Sequence, residues 1–289
     1  MTMSSKVFPS KPNYIKGIFG TDKAVIGMIH LKPLPGAPHY TGESMESVYE
    51  FALQDVRAFE EGGVDGLIIE NAWDIPFAKP DDIGYETVAA LSTVAEKLKR
   101  ETHLPIGINV LANAALPALA VAKANDLPFV RVNQWVNAYV ANEGFMEGES
   151  ARALRYRSGI KGEDIKIFAD VHVKHGSHSI VADRSLKDQT HDAIFFDADV
   201  LIATGNRTGD ETEVDEIEGI KSNTELPVIV GSGMDENNVE KILSVANGCI
   251  VGSSLKEGGL WWNSVDAKRV KTFMENVKNL REKLGVSVG

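Results

Sequence analysis

Residues 226–259 read LPVIVGSGMDENNVEKILSVANGCIVGSSLKEGG, a run that parses as strand, small turn, helix, strand, small turn. Val228, Ile229 and Val230 form an apolar run of strand length, and Gly231-Ser232-Gly233 then leaves backbone N–H groups clear of bulky side chains. Asn237 to Ala246 has helical spacing, and the next apolar run, Cys249-Ile250-Val251, ends in Gly252-Ser253-Ser254. Two successive buried strands that each close in small residues are what a TIM (β/α)8 barrel uses to grip a phosphate after its seventh and eighth strands. One Gly-Ser-Gly alone is only a tight turn. The pair of clusters predicts a phosphate site at Gly231, Ser232, Gly233, Gly252 and Ser253, with the helix after each turn adding partial positive charge.

Upstream, the same unit repeats. Apolar strand runs at 24–31, 66–71, 105–111, 129–133, 166–174 and 200–205 alternate with amphipathic helical stretches at 44–62, 84–101, 115–125, 149–158, 185–196 and 214–222. With the two units of the opening stretch and a last helix at 266–284, the chain has eight strand–helix units. A doubly wound open sheet would place its Gly-rich turn after the first strand. Here that strand runs into His30-Leu31-Lys32-Pro33-Leu34-Pro35-Gly36, which cannot make such a turn. The reading is therefore one phosphate-binding (β/α)8 barrel over residues 21–289, preceded by an arm, residues 1–20, that packs on the barrel bottom or on another subunit. Segments after strands are long (32–43, 72–82, 134–148, 175–184, 206–213) and returns from helix to strand are short, so function is expected at the carboxyl ends of the strands.

Composition narrows the function classes. Of the 289 residues, 43% are hydrophobic and 25% charged, the balance of a folded globular chain, and no apolar run is long enough to span a membrane. A net charge of −11 argues against broad nucleic-acid binding. The first residues lack an apolar signal core and Cys249 is the only cysteine, so a cytoplasmic location without disulfides is expected. A phosphorylated small molecule would have to be held by local donors against the overall field.

Strand alternation then selects candidates for chemistry. In KIFADVHVK (166–174), Ile167, Ala169, Val171 and Val173 suit the face under the helices, which turns Lys166, Phe168, Asp170, His172 and Lys174 inward. The same period points His30, Glu70, Asn109, Arg131, Asn133 and Thr204 toward one mouth. Arg131 and Asp170 are either a structural ion pair on adjacent strands or part of the chemistry. Among the candidates, Glu70 or Asp170 could act as general base and His30 or His172 as proton shuttle; Lys174 could stabilise an enolate or form a Schiff base. Asn109, Arg131, Asn133 and Thr204 would bind substrate. Glu70, Asp170 and His172 are also suitable ligands for a divalent metal, although no metal motif is present. Trp73 and Trp135 are expected to wall the pocket, and Trp261-Trp262 to wall it or to form a subunit contact in a homo-oligomer.

The segments GMIHLKPLPGAP, DGLIIEN, GINVLANA, FVRVNQW, FADVHVKH, VIVGSGM and VGSSLK together resemble the BtpA/SgcQ family over nearly the whole chain. The resemblance implies a barrel akin to the ribulose-phosphate-binding ones. One branch of that family is named for photosystem I biogenesis and another for a gene cluster associated with sugar uptake and metabolism; it carries no settled reaction onto these positions. Three functions follow as expectations. The first is an enzyme acting on a small phosphorylated metabolite, a sugar phosphate or nucleoside-like compound, by acid–base isomerase or lyase chemistry. The others are a non-catalytic assembly or stability factor and a hydrolase using Glu70 and Asp170.

Overall fold

A computed structural model describes residues 10–205 and 214–286; the expected strand-end segment 206–213 lies outside them. Ten strands are described: β1 (Ala24–His30), β2 (Gly66–Glu70), β3 (Ile106–Asn109), β4 (Phe129–Val132), β5 (Ala138–Ala141), β6 (Gly144–Glu147), β7 (Lys166–His172), β8 (Val200–Ala203), β9 (Val228–Val230) and β10 (Gly248–Val251). Eight of them close in the order β1-β10-β9-β8-β7-β4-β3-β2, every pair parallel, while β5 and β6 form a separate antiparallel hairpin. The chain is a (β/α)8 barrel. Its helices are α1 (Tyr14–Phe19), α2 (Met45–Gly62), α3 (Tyr85–Glu101), α4 (Ala115–Ala124), α5 (Ser150–Gly159), α6 (Leu186–Phe195), α7 (Val214–Lys221), α8 (Val239–Val245) and α9 (Ala267–Leu284). No helix among the described residues is long and apolar enough to cross a membrane.

Alternation splits the apolar residues into two cores. Residues facing outward, such as Ile29, Ile69, Ile108, Ile167 and Val228, pack under the helices with Phe59, Leu91 and Phe273. Residues facing inward, among them Ile26, Ile68, Phe129, Phe168, Ile202 and Ile229, fill the barrel itself. Phe129 and Phe168 stack with centroids 4.5 Å apart, and Phe19 meets them edge-on at 5.5 and 6.4 Å. Room for these rings comes from glycine: a Cβ on Gly66 would lie 2.4 Å from the Phe19 ring, and one on Gly107 2.2 Å from that of Phe129.

Phe19 belongs to α1, a helix that the arm's lack of a clear period concealed. Its caps are nonetheless in the sequence. The Asn13 side chain accepts from the Lys16 amide, and Gly20 closes the helix at φ 72°. Ile15 and Phe19, one turn apart, enter the inner core from below. Polar residues just ahead of strands finish this end: Asp65 accepts from the Val25 amide at 2.7 Å, Asp199 from Ile167 at 2.9 Å, and Asn247 from Val228 at 3.0 Å. Lys11 reaches Asp199 at 2.8 Å and holds the arm there.

The segment 134–148, expected as a long connection after a strand, contains the β5–β6 hairpin. Val140 exchanges two backbone hydrogen bonds with Ser177, 3.0 and 2.8 Å, tying the hairpin to the segment after β7. Cys249 is buried in β10, and burial pushes its thiol well above the ordinary range, which leaves it a packing residue.

If α1 is part of the barrel's core, Phe19→Ala should lower the unfolding free energy by about 3 kcal/mol in chemical denaturation. A loss below about 0.5 kcal/mol, the size of a surface substitution, would show that the helix is an appendage.

Candidate functional site

Above the phenylalanine layer the inward positions turn polar. His30 and Glu70 are register partners at the ends of β1 and β2, and Glu70 pairs with Asn109 of β3. The Asn109 amide donates to Glu70 Oε2 at 2.6 Å, while Glu70 Oε1 lies 3.8 Å from His30 Nε2. His30 Nδ1 is 2.9 Å from the Trp261 carbonyl, which can only accept, so the ring proton sits on Nδ1 and Nε2 faces Glu70 bare. Burial, then the Lys256 charge, take the His30 pKa down to about 3 against the Trp261 hydrogen bond, with Lys174 adding to the fall. The imidazole is neutral.

Arg131 and Asp170 form a bidentate pair, Nε to Oδ1 at 3.1 Å and Nη2 to Oδ2 at 2.9 Å, with 3% and 0% of their side chains exposed. Burial pushes the Asp170 carboxyl upward, opposed by the Arg131 charge and hydrogen bonds, by Lys174 and by Asn133. The guanidinium keeps its proton, so the two act as one neutral couple. Gly231 packs on it: a Cβ there would lie 3.1 Å from Arg131 Nη2 and 2.7 Å from both Ile202 and Thr204.

The two small-residue turns lie side by side. Ser232 Oγ donates to the Thr204 carbonyl at 2.7 Å, and Ser254 Oγ to the Met234 carbonyl at 2.6 Å, tying turn to turn. The Gly231 amide belongs to the sheet, donating to Ala203 at 2.7 Å. Among the described residues no carbonyl or side chain accepts from the amides of Gly233, Ser253 or Ser254. The expected help from the helix after Gly233 is absent, because Asp235 Oδ1 already accepts from the amides of Asn237 and Asn238, at 2.8 and 3.0 Å, ahead of the seven-residue α8. What the turns present are the open amides of Gly233 and, at the start of a single 3-10 turn over Ser253–Leu255, those of Ser253 and Ser254.

A cavity of about 780 Å³ at the carboxyl ends of the strands unites these features. Of the candidates, His30, Glu70, Arg131, Asn133, Lys174, Gly231, Ser232, Gly233, Gly252 and Ser253 line it. Asn109, Asp170, His172 and Thr204 do not. Asn109 and Asp170 are buried and bonded to Glu70 and Arg131, and Thr204 is fully buried with its hydroxyl on the His172 carbonyl at 2.9 Å. His172 departs from the alternation because β7 bulges there: Asp170 pairs with Ile202 but His172 with Ala203. Its ring lies tilted against that of His178, centroids 3.8 Å apart, and His178 in turn stacks on Tyr139 of the hairpin. Burial, then His178, lower its pKa to about 4. With Asp170 held by Arg131 and His172 turned away, Glu70, Asp170 and His172 do not converge as metal ligands, nor does any other group of three His, Cys, Asp or Glu among the described residues. Trp135 is fully buried beneath the segment, its indole N–H on the Phe196 carbonyl at 2.9 Å; Trp261 and Trp262 line the cavity instead, with Trp73 packed behind Trp261 at 5.0 Å.

Other residues shape the mouth without having stood out in the sequence. Asp74 accepts from the Leu34 amide at 2.9 Å and from Asn71 at 3.0 Å; Asn71 accepts from Leu111 at 2.7 Å, and Asn113 from Gln134 at 2.7 Å. These bonds chain the segments after β1, β2, β3 and β4. Their signal was present as asparagines and an aspartate within the first turn or so past strand ends, where such side chains replace missing backbone partners. Lys256, fully buried against Asp55 at 2.9 Å, likewise anchors the segment after β10 to α2.

A sequence model of the BtpA family matches residues 21–279. The chain belongs to the BtpA family. A BtpA relative in Synechocystis sp., named photosystem I biogenesis protein BtpA, is 37% identical over 262 residues, covering 89% of this chain and 88% of its own. An uncharacterised Archaeoglobus fulgidus protein is 42% identical over 257 residues, covering 89% of this chain and 99% of its own. Among solved structures, N-(5'-phosphoribosyl)anthranilate isomerase of Pyrococcus furiosus is similar with a TM-score of 0.55 at 13% identity, covering 89% of this chain and 99% of that one. Thiamine phosphate pyrophosphorylase of the same organism gives 0.51 at 15%, covering 90% and 97%. At these identities the likeness is one of fold.

If Arg131 and Asp170 are one coupled pair, Asp170→Asn should lower stability by about 3 kcal/mol by leaving a buried charge unmatched. Adding Arg131→Met should recover much of that loss. Denaturation of the single and double variants measures the coupling, and simply additive losses would show independent residues.

Proposed function

We propose that this chain is an enzyme acting on a small phosphorylated metabolite, a sugar phosphate or nucleoside-like compound, by acid–base isomerase or lyase chemistry. The observation that carries the reading is that the open amides of Gly233, Ser253 and Ser254 share one cavity with Glu70, His30 and Lys174. An anion on the turns would leave the rest of a small substrate lying across the cavity toward Glu70. There Glu70 is the general base, oriented by Asn109, and the neutral His30 relays a proton through its bare Nε2. Lys174 faces developing negative charge. Barrels of the same fold whose names carry a phosphorylated compound, the phosphoribosylanthranilate isomerase and the thiamine phosphate enzyme, support this class of ligand.

The name of the Synechocystis relative supports a second reading, an assembly factor that keeps the cavity as a binding module. Leu260 and Trp262, 40% and 44% exposed beside the mouth, suit a protein contact, which in a homo-oligomer would be a second copy. A cytoplasmic location belongs to the same proposal. Hydrolysis by paired carboxylates has less support, because Asp170 is paired with Arg131 and lies outside the cavity.

A panel of sugar phosphates tests the reading by thermal shift, where a ligand at a hundred times its Kd adds about 2.7 kcal/mol. Ser253→Asp puts a carboxylate beside the open amides and should remove the shift while leaving the ligand-free melting temperature within a few degrees of wild type. A panel without any shift, or one whose shifts survive in Ser253→Asp, would contradict the phosphate site. Gly231→Val is not a usable probe, since its side chain would strike Ile202, Thr204 and Arg131.

A further inference from the structure

Buried cations in this chain come with partners. Arg131 has Asp170, Lys256 has Asp55, Arg281 has Asp65, and Lys23 has the carbonyls of Ser244 and Ala246. Lys174, which is half-buried, has no such partner among the described residues. It lines the cavity just past the end of β7, and no acceptor stands within hydrogen-bond distance of its ammonium. Its surroundings are set from several strands: Arg131 of β4 and Asp170 of β7 beneath it, Glu70 of β2 across from it, and neutral His30 of β1 beyond. Because Asp170 is already hydrogen-bonded to Arg131, it makes no direct ion pair with Lys174, and the two charges of the couple act on the amine in opposite directions. Leaving an amine unpaired in such a place is unfavourable unless the uncharged form has a use.

We propose that Lys174 forms an imine with the carbonyl carbon of a phosphorylated aldehyde or ketone whose phosphate rests on the Gly233 and Ser253–Ser254 turns. This rests on the phosphate reading above and adds to it the substrate's carbonyl group and a covalent step. The nitrogen lone pair attacks the carbonyl carbon, and the C=O π pair moves to oxygen, which takes up a proton. Loss of that oxygen as water leaves a protonated imine, so one ammonium and one carbonyl give one iminium and one water. Glu70 then removes the proton from the neighbouring carbon, and the electron pair flows to the iminium nitrogen to give an enamine. Isomerisation and carbon–carbon cleavage both proceed through such a species. The electrostatics agree with the geometry: burial, then the Arg131 charge, bring the Lys174 pKa down to about 8, with Glu70 and Asp170 opposing. A fraction of the free amine therefore exists near neutral pH, unlike an ordinary lysine.

Borohydride trapping tests this. Full-length protein is incubated with dihydroxyacetone phosphate and sodium borohydride, which reduces an imine to a stable secondary amine, and the modified peptide is located by mass spectrometry. One triose phosphate adduct on Lys174 is expected, with a rate rising through pH 8, suppressed by inorganic phosphate and at least tenfold slower with unphosphorylated dihydroxyacetone. Lys174→Arg keeps the charge and should lose the adduct while the thermal shift by inorganic phosphate persists, which also shows that the variant is folded. Adducts spread over surface lysines, or equal labelling in Lys174→Arg, would overturn the proposal. If phosphate stabilises the wild type but no Lys174 adduct forms, the imine step is wrong and the phosphate site stands. If neither phosphate nor the triose phosphate has any effect, both readings fail.

Discussion

Arg131 and Asp170 meet inside the barrel with almost no exposed surface, and what lies above and below them depends on that meeting. Below, the rings of Phe129 and Phe168, two residues earlier on the same strands, form an apolar floor with Phe19. Above, Asn133 and Lys174 open into the cavity. A lone charge at this depth would be untenable; a bidentate couple is tolerated, and hydrophobic replacements of equal volume could even match its contribution to stability. Its value is positional. Beside the couple, Glu70 and Lys174 line the cavity, and the Arg131 charge helps lower the Lys174 pKa while Asp170 and Glu70 oppose it.

Around this couple the strand ends are tied to one another. The ties run from Leu34 through Asp74 and Asn71 to Leu111, then from Asn113 to Gln134 and from Val140 to Ser177. They continue from His172 through Thr204 to Ser232, and Trp261 returns to His30. Segments that would be mobile individually are thereby held at fixed separations, which a reacting constellation needs more than it needs any one contact. Glu70, Lys174 and the open amides of the two turns come from different strands, and such a ring keeps them in register.

The barrel was legible because strand–helix units repeat without interruption and the Gly-rich turns fall at its end, not after the first strand. Most inward positions followed from alternation, so His30, Glu70, Arg131, Asn133 and Lys174 reach the cavity. Alternation says which face a residue takes, however, not how deep it lies. That is why Asn109, Asp170 and Thr204 turned out to support the cavity lining from behind. His172 failed for another reason: the β7 bulge breaks the period, and nothing in Asp170-Val171-His172 announces it. Helix α1 was missed although Asn13 and Gly20 marked both ends, because six residues are too few to show a period. Among the turns, Gly231 illustrates that a glycine in a phosphate-like motif can serve packing, since its amide belongs to the sheet and its missing side chain makes room for Arg131.

The proposed anion site and the proposed reactive groups share one cavity. A crystal structure of the wild-type protein grown in high inorganic phosphate tests it most directly. A phosphate is expected at about 3 Å from the amides of Gly233, Ser253 and Ser254, on the side of the turns that faces Lys174 and Glu70. Turns left empty, with phosphate bound elsewhere on the barrel, would contradict it.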